Sequence, residues 1–269
     1  MFLPEIFNLG KAFKQYFEIV PAYTDELKDE VYRIRHQVYC EELKWEPVRP
    51  NRREMDDYDA HSLHLLIRSI KIGEFMGCTR LVLTRPQAPD HPLPFEKACA
   101  ASLDRSVIDP AGLPRDGIGE FGRLAVLRRF RNRKGEEKSA TGLIQSFNTL
   151  MRPRFPYILA GLYLGTIELA RLNGIDTLFI LTEMRLIRHL RRLGVKIQTI
   201  GEPIEHRGQR FPSMLSASDI IKNLGFIVRP LYRTVCDEIA RGQSDQMPAV
   251  RRLDTQPVSI AAHRTASGG

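Results

Sequence analysis

A carboxylate and a guanidinium three residues apart, Glu120 and Arg123, lie at the beginning of a short apolar run that ends at Leu127. Such a run, bounded by glycine and by charge, predicts a short buried strand. The two glycines beside Glu120 and Arg123 allow another backbone or a ligand to approach closely. At the mouth of a core strand, this pair could be catalytic, or it could be a structural ion pair that holds a loop. The stretch alone leaves both interpretations open.

A second group of charged and aromatic residues comes earlier in the chain. A helix is predicted from Thr24 or Asp25 to about Leu43, and its apolar stripe is joined by Arg35, Tyr39 and, just beyond it, Trp45, the only tryptophan. Core packing would explain the two aromatic residues. A buried arginine, however, needs an anionic partner.

Candidate partners lie in the loop that contains Asp56 and Asp59, directly before a predicted strand at residues 62–70. Another cation, Arg80, interrupts the next predicted strand, at residues 75–83, and it would need a partner if it faced inward. We therefore predict a charge cluster of Arg35, Asp56, Asp59 and Arg80, with Glu120 and Arg123 beside it.

Composition limits the class of protein. The chain has 269 residues and is 43% hydrophobic, which suffices for one large domain or two small ones. Lys and Arg total 40 against 32 Asp and Glu, a formal charge of +8. This balance indicates an acidic partner, which could be a nucleic acid, an anionic membrane or an acidic protein. No segment approaches the roughly 20 apolar residues that span a bilayer, and neither a signal peptide nor a metal-ligand spacing is evident.

The four cysteines, Cys40, Cys78, Cys99 and Cys236, are widely spaced. We therefore expect reduced thiols in a cytoplasmic protein rather than disulfides or a zinc site. Cys40 comes four residues after His36 and would share its helix face. A Cys–His nucleophile pair is an alternative, but no third orienting group is evident.

The pattern of elements predicts three regions. Residues 1–15 form an N-terminal amphipathic helix, which either packs on the body of the protein or makes a peripheral membrane contact. Residues 16–242 form one α/β domain, with an insertion at 84–117 and a C-terminal helical extension that breaks near Gly225 and Pro230. Residues 243–269 are predicted to be a disordered tail. The order of strands and helices predicts a mixed sheet with helices on both faces.

The spaced set Arg35-x3-Tyr39-x5-Trp45, Asp56-x2-Asp59, Arg80 and Glu120-x2-Arg123 resembles the acyl-homoserine-lactone (autoinducer) synthases. It equally resembles their relatives, the N-acyl amino acid synthases and the acyltransferases found beside PEP-CTERM/exosortase systems. All are built on the GNAT acetyltransferase fold, and the resemblance covers about residues 17–219. The main departure is Tyr39, where autoinducer synthases usually have Phe. The long insertion and the helical extension resemble the exosortase-associated branch more.

The resemblance implies a GNAT sheet whose fourth and fifth strands, 120–127 and 177–182, splay apart around the acyl thioester. It implies that Glu120 and Arg123 are catalytic and that Glu120 helps to deprotonate an acceptor amine. It also implies a substrate-binding role for Arg35, Tyr39, Trp45, Asp56, Asp59 and Arg80. No metal and no bound cofactor are expected. The acceptor would be an amino acid or S-adenosylmethionine.

The expected acyl donor depends on the residues directly after Leu127. GNAT enzymes that use coenzyme A usually carry an Arg/Gln-x-x-Gly-x-Gly/Ala loop there, and a basic run stands in its place. We therefore predict an acidic acyl carrier protein as the donor, with acyl-coenzyme A as the alternative. The predicted docking residues are Arg128, Arg129, Arg131, Arg133 and Lys134.

Two other hypotheses remain, a non-catalytic acyl-binding protein and a basic nucleic-acid-binding protein. The sequence shows neither a helix-turn-helix nor basic strands interleaved with aromatic residues, so no nucleic-acid partner is expected.

Overall fold

A computed structural model describes residues 9–85, 87–131, 157–192 and 195–254. Its eight strands form one sheet in the order β1-β2-β3-β4-β5-β8-β6, and β7 pairs with β8 outside this path. The strands are β1 (Phe17–Pro21), β2 (Ser62–Ser69), β3 (Phe75–Leu83), β4 (Ile118–Val126), β5 (Thr177–Thr182), β6 (Ile197–Thr199), β7 (Ile204–Glu205) and β8 (Gln209–Ser216). Within the described chain, only β4 and β5 are parallel neighbours.

Helices cover both faces of this sheet, as its buried apolar side chains require. They are α1 (Leu9–Tyr16), α2 (Asp25–Arg35), α3 (Pro94–Ala98), α4 (Tyr157–Leu172), α5 (Met184–Arg192), α6 (Ala217–Asn223) and α7 (Arg229–Asp254). On one face, Val31 and Ile34 of α2 belong to a cluster with Leu66 of β2. On the other, α1, α4 and α7 surround a larger core that includes Leu162 and Val235.

β4 and β5 separate soon after they meet. Their ladder pairs Ile118, Gly119 and Glu120 with Thr177, Leu178 and Phe179, and it then stops. Beyond Glu120, the edge of β4 that faces β5 has no ladder partner in the described chain. The predicted α/β GNAT architecture, with a mixed sheet and a splayed pair of strands, is confirmed.

A bulge in β4 changes the direction of its side chains at the gap. Register with β3 shifts between the pairs Arg80–Gly122 and Cys78–Ala125, so one residue of β3 opposes two of β4. Arg123 lies in this bulge with φ of 49°, in the left-handed region that side chains rarely adopt. Bulges re-aim side chains next to active sites, and this one aims Arg123 at the acidic loop before β2.

The C-terminal predictions need one correction. The predicted break near Gly225 and Pro230 is present, since α6 ends at Asn223 and α7 begins at Arg229. However, α7 continues to Asp254, so the predicted disordered tail cannot begin at residue 243. Residues 1–8 and 255–269, which complete the predicted terminal regions, lie outside the described residues. Across the described part of the chain, no helix combines the length and apolar character that crossing a membrane requires.

Candidate active site

Arg35, at the end of α2, lies completely buried between two carboxylates. Its Nε donates to Glu54 at 2.5 Å, and its two terminal nitrogens donate to Asp59 at 2.6 and 3.1 Å. Burial alone would lower the pKa of Arg35, but Glu54 and Asp59 outweigh it and raise the pKa above its ordinary value. Arg35 and Asp59 therefore form a bidentate guanidinium–carboxylate pair, joined by two hydrogen bonds.

Two more arginines extend the group toward the gap. Arg80 Nη1 donates to Asp56 at 2.6 Å and to Asp59 at 2.8 Å. Arg123 Nη2 lies 3.0 Å from Asp56 and 3.4 Å from Glu54. We call the following six residues the buried charge network, although Asp56 and Arg123 are partly exposed: Arg35, Glu54, Asp56, Asp59, Arg80 and Arg123. The predicted charge cluster is present, but Arg123 is a member of it rather than a neighbour, and Glu54 was missed.

The loop before β2 folds so that its acids face these cations. Asp59 Oδ2 accepts from the Asp56 backbone N–H at 2.8 Å, and Asp56 Oδ1 accepts from the Tyr58 N–H at 3.0 Å. The second contact is an Asx turn, a local preference of aspartate. Burial favours protonation of Asp59, but Arg35 and Arg80 hold its pKa well below the ordinary range.

Glu120 is also buried, but within the described chain its carboxylate has no cation partner of the kind that the network provides. Its Oε2 accepts from the backbone N–H of Phe95 in α3 at 2.7 Å, and no ion pair to it is found among the described residues. Loss of solvent raises the pKa of Glu120 to about 7, although the Phe95 hydrogen bond and the more distant Arg80 and Arg123 act in the opposite direction. A carboxyl group with this pKa can accept or release a proton near neutral pH.

A cavity of about 570 Å³ opens between β4 and β5 and includes Glu120 in its lining. Its apolar lining comes from both strands and from α4 and α5: Phe121, Leu124, Tyr163, Ile180, Leu181 and Leu186. Its charged and polar lining comes mainly from the loop before β2, from α3, from β4 and from β8 and the turn before it: Asp56, Asp57, Tyr58, Lys97, Arg123, His206, Arg207 and Arg210. The lining therefore offers apolar surface to an acyl chain and charged groups to a polar molecule.

Tyr39 and Trp45 also line this cavity. Their rings stack at 5.9 Å with an angle of 14° between planes. The Tyr39 hydroxyl donates to the Leu124 carbonyl at 3.0 Å, beside the bulge in β4. The guanidinium groups of Arg207 and Arg210 lie 5.9 and 5.8 Å from the Trp45 ring. These two arginines were missed, because the turn from β7 to β8 comes near Trp45 only in the folded chain.

The comparisons with known proteins agree with this architecture. Residues 34–139 match the family model described as an acetyltransferase (GNAT) domain. An acyl-homoserine-lactone synthase from Pseudomonas fluorescens is 25% identical over 70% of this chain and 79% of its own. A second, from Rhizobium radiobacter, is 23% identical over 65% of this chain and 71% of its own.

Solved structures show the same fold. The synthase LasI superposes with a TM-score of 0.52 at 18% identity, over 80% of this chain and 93% of that one. FeeM, an N-acyl amino acid synthase from uncultured soil microbes, superposes with a TM-score of 0.51 at 14% identity, over 77% and 94%. The solved structures show the GNAT fold, and the family model together with the acyl-homoserine-lactone synthase relatives indicates an N-acyltransferase. The comparisons favour acyl transfer to an amine over the acyl-binding and nucleic-acid-binding hypotheses.

The predicted docking residues of this acyltransferase divide into three groups. Arg128 and Arg129 are exposed, and Arg129 pairs with Glu74 at 2.7 Å. Arg131 is buried and pairs with Glu42, so it does not belong to a docking surface as predicted. Its guanidinium instead holds the turn after β4 against Glu42, the last residue of the π-helical segment His36–Glu42 that follows α2. Arg133 and Lys134 lie outside the described residues.

The alternative nucleophile is not supported by its surroundings. Cys40 is buried, and burial raises the pKa of its thiol. His36 Nε2 accepts a hydrogen bond from the Arg49 backbone N–H at 3.1 Å. A reactive cysteine needs a lowered pKa and access, so direct transfer without an acyl-enzyme suits this site better.

Proposed function

We propose that this acyltransferase moves a fatty acyl group from an acyl carrier protein thioester to the amine of a small acceptor, an amino acid or S-adenosylmethionine. The observation that carries the proposal is the β4–β5 ladder, which ends at Glu120 and opens into a cavity with an apolar and a polar part. The apolar lining accommodates the acyl chain. Backbone groups along the splayed strands pair with the pantetheine amides, as in strand addition.

Glu120 acts as the general base in this proposal. The amine nitrogen attacks the thioester carbonyl carbon, the carbon–sulfur bond breaks, and the pantetheine sulfur leaves as a thiolate, which takes a proton from the protonated Glu120 or from water. Glu120 takes the amine proton directly or through water. An α-amine has a pKa near 8, so removing its proton at pH 7 costs about 1.4 kcal/mol. A carboxyl group with a pKa of about 7 is sufficient for this task.

Binding in the gap supplies much of the remaining acceleration. Orientation of amine and thioester converts a bimolecular reaction into a step within one complex. The buried charge network supports this geometry, since Arg123 reaches the cavity while Asp56 and Glu54 hold its guanidinium. In the proposal, Arg123 orients the acceptor or the thioester, and the other members keep β3, β4 and the acidic loop together.

The carrier protein is proposed from charge. Exposed Arg128 and Arg129 come directly after β4, where a pantetheine arm entering the gap would pass. Carrier proteins are acidic, and opposite charges raise encounter rates. We also propose a cytoplasmic location, consistent with four free cysteines. Assignment to the exosortase-associated branch stays a prediction that rests on the insertion and the C-terminal extension.

Product analysis tests the proposal directly. The purified chain is mixed with acyl carrier protein thioesters, acyl-coenzyme A or a short synthetic acyl-pantetheine thioester, together with amine mixtures that include S-adenosylmethionine. We expect mass spectrometry to show an N-acyl product, formed fastest from the carrier protein at low salt. Absence of any acylated amine would overturn the proposed function. Equal rates with carrier protein and coenzyme A would overturn only the choice of donor.

A further inference from the structure

Arg115 lies in the short turn directly before β4, the strand that carries Glu120, and its guanidinium reaches back to α3. Its two terminal nitrogens each donate to one carboxylate oxygen of Glu96 at 3.0 Å, which makes a bidentate pair. One of them also donates to the His91 carbonyl at 3.0 Å. Only 18% of the Arg115 side chain and 13% of the Glu96 side chain are exposed. This mostly buried pair therefore connects α3 to the beginning of β4.

α3 depends on such contacts because it is too short to be stable alone. It has five residues, and an isolated helix of this length does not persist in water. The ring of Phe95 stacks on that of Phe179 in β5, with ring centres 4.2 Å apart. Together with the Arg115–Glu96 pair, this stacking contact determines where α3 lies.

The position of α3 matters because of the backbone N–H of Phe95, which belongs to the first turn of the helix. Such N–H groups have no partner within their own helix, and that of Phe95 donates to Glu120 Oε2 at 2.7 Å. Glu96 is the next residue along the chain. The pair that Glu96 forms with Arg115 thus acts one peptide unit away from the hydrogen bond to the proposed base.

Glu96 has a second contact that belongs to α3 itself. Its Oε2 accepts from the Leu93 N–H at 2.7 Å, as the third helical residue does in a capping box. Glutamine can make this contact as glutamate does, but glutamine forms no ion pair with Arg115. Glu96→Gln therefore separates the effect of the ion pair from that of the cap.

Beyond burial and the α3 hydrogen bond, the charged groups that act on the pKa of Glu120 come from three elements. Arg80 of β3 and Arg123 of β4 lower this pKa, and Glu96 of α3 raises it. The thiol of Cys99, directly after α3, also lies close enough to be affected by Glu120. Movement of α3 would change both the burial of Glu120 and its hydrogen bond, and these two changes act on its pKa in opposite directions. The hydrogen bond itself is therefore a better measure of the position of α3 than the pKa.

We infer that Arg115 is a positioning residue, which acts through Glu96 and α3 to hold the Phe95 N–H on Glu120. Its consequence for catalysis rests on the proposed function, in which Glu120 takes the amine proton. A misplacement of about 1 Å at a reacting group costs up to about 10²-fold in rate. Arg115→Met should therefore lower kcat about 10-fold at pH 7, with the synthetic acyl-pantetheine thioester as donor, and change KM for the acceptor little.

Nuclear magnetic resonance of the chain with isotope-labelled phenylalanine tests the contact without substrate. The Phe95 amide, assigned by its loss in Phe95→Leu, should shift with pH as Glu120 titrates near pH 7. In Glu120→Gln this shift should be absent. A wild-type Phe95 amide that does not follow Glu120 would overturn the inference.

The variants at the pair then show whether it holds this contact. In Arg115→Met and in Glu96→Gln, the pH-dependent shift of the Phe95 amide should fall by at least about half. Arg115→Lys, which keeps the charge but not the planar fork, should retain more of the shift and of kcat. Arg105→Met, the matched control, removes an exposed ion pair to Asp109 in the same insertion and should change neither.

A double variant separates positioning from general stability. Arg115→Met combined with Glu120→Gln should be no slower than Glu120→Gln alone, because Arg115 acts through Glu120. An additive loss of rate would overturn the inference. So would an unchanged Phe95 titration in either Arg115→Met or Glu96→Gln, and both results leave the acyltransferase proposal intact. Failure of the wild type to acylate any amine would overturn the proposed function, whereas the amide titration would still measure the contact.

Discussion

The buried charge network and Glu120 both place carboxylates near one cavity, but the partners of these carboxylates differ. In the network, three carboxylates face three guanidinium groups at 2.5 to 3.4 Å. Glu120 has instead one backbone N–H of α3 as its hydrogen-bond donor. Cations keep the pKa values of Asp56 and Asp59 low, whereas burial raises that of Glu120 to about 7.

This difference in partners separates carboxylates with a structural role from a carboxyl group that can exchange a proton. A buried carboxylate that is fully paired stays ionised and holds elements together, and removing it leaves an uncompensated cation. A buried carboxyl group without a cation can exchange its proton near neutral pH. Sequence proximity says little about which of the two a residue becomes, since Glu120 and Arg123 are three residues apart and belong to different regions.

The largest effect is expected from Asp59→Ala. It removes both Arg35–Asp59 hydrogen bonds and one carboxylate contact of Arg80. Breaking a buried pair in this way costs about 3–5 kcal/mol of unfolding free energy. Urea unfolding followed by circular dichroism should show a much lower midpoint and less soluble protein. Asp57→Ala, at an exposed position in the same loop, is the control and should stay within about 0.5 kcal/mol. Equal midpoints for the two variants would remove the proposed supporting role.

Glu120→Gln should preserve the fold and reduce acyl transfer roughly 10²-fold, within the usual range for a general base. The amide oxygen can still accept from the Phe95 N–H, so α3 stays in place. The loss should shrink between pH 7 and pH 9, because the acceptor amine then deprotonates unaided. Initial rates at saturating acceptor across this range provide the measurement. A loss that is constant with pH would assign Glu120 an orienting role instead.

The same variant tests the raised pKa through stability. A carboxyl group whose pKa is higher in the folded state, here about 7, binds its proton more tightly there than in the unfolded chain. Its contribution is fully present below the unfolded pKa of about 4.3 and is lost as pH rises through the folded pKa. The stability of wild type relative to Glu120→Gln should therefore fall from about pH 4 to pH 8. A difference that rises over this interval would contradict the burial effect.

A smaller change is expected from Tyr39→Phe, which removes the hydrogen bond to the Leu124 carbonyl beside the bulge. The ring and its stacking on Trp45 are retained, so the cost should be about 1 kcal/mol. Thermal unfolding measures it, with Tyr16→Phe, at an exposed tyrosine, as the control. If both variants unfold like the wild type, this hydroxyl does not hold β4 in place.

The smallest effect on the fold is expected from Arg129→Glu, at an exposed arginine directly after β4. Use of an acyl carrier protein should weaken several-fold at low salt and less at high salt, because exposed charges are screened beyond about 8 Å at physiological ionic strength. Turnover of the synthetic thioester should not change. Arg131→Glu is the informative contrast, since it replaces a buried arginine by a second carboxylate beside half-buried Glu42 and should lower the unfolding midpoint. An unchanged carrier affinity in Arg129→Glu would exclude this surface.

The order of elements and much of the content of the site could be predicted from the sequence. Local patterns predicted the strands at 62–70 and 75–83, the strand that ends at Leu127 and the helix that begins at Thr24 or Asp25, and the mixture of Arg35, Asp56, Asp59 and Arg80 indicated mutual pairing. The three-residue β4–β5 ladder agrees with the splayed strands that the resemblance implied. The catalytic and substrate-binding roles of these residues stay predictions.

Which charges meet became evident only in the folded chain. Glu54 pairs with Arg35 from 19 residues away, Arg131 is buried against Glu42 from 89 residues away, and Arg123 turns into the network through a bulge. The pKa of Glu120 likewise depends on its burial in the folded chain. Electrostatic energy depends on distance and burial in space, and neither quantity is a property of neighbours along the chain.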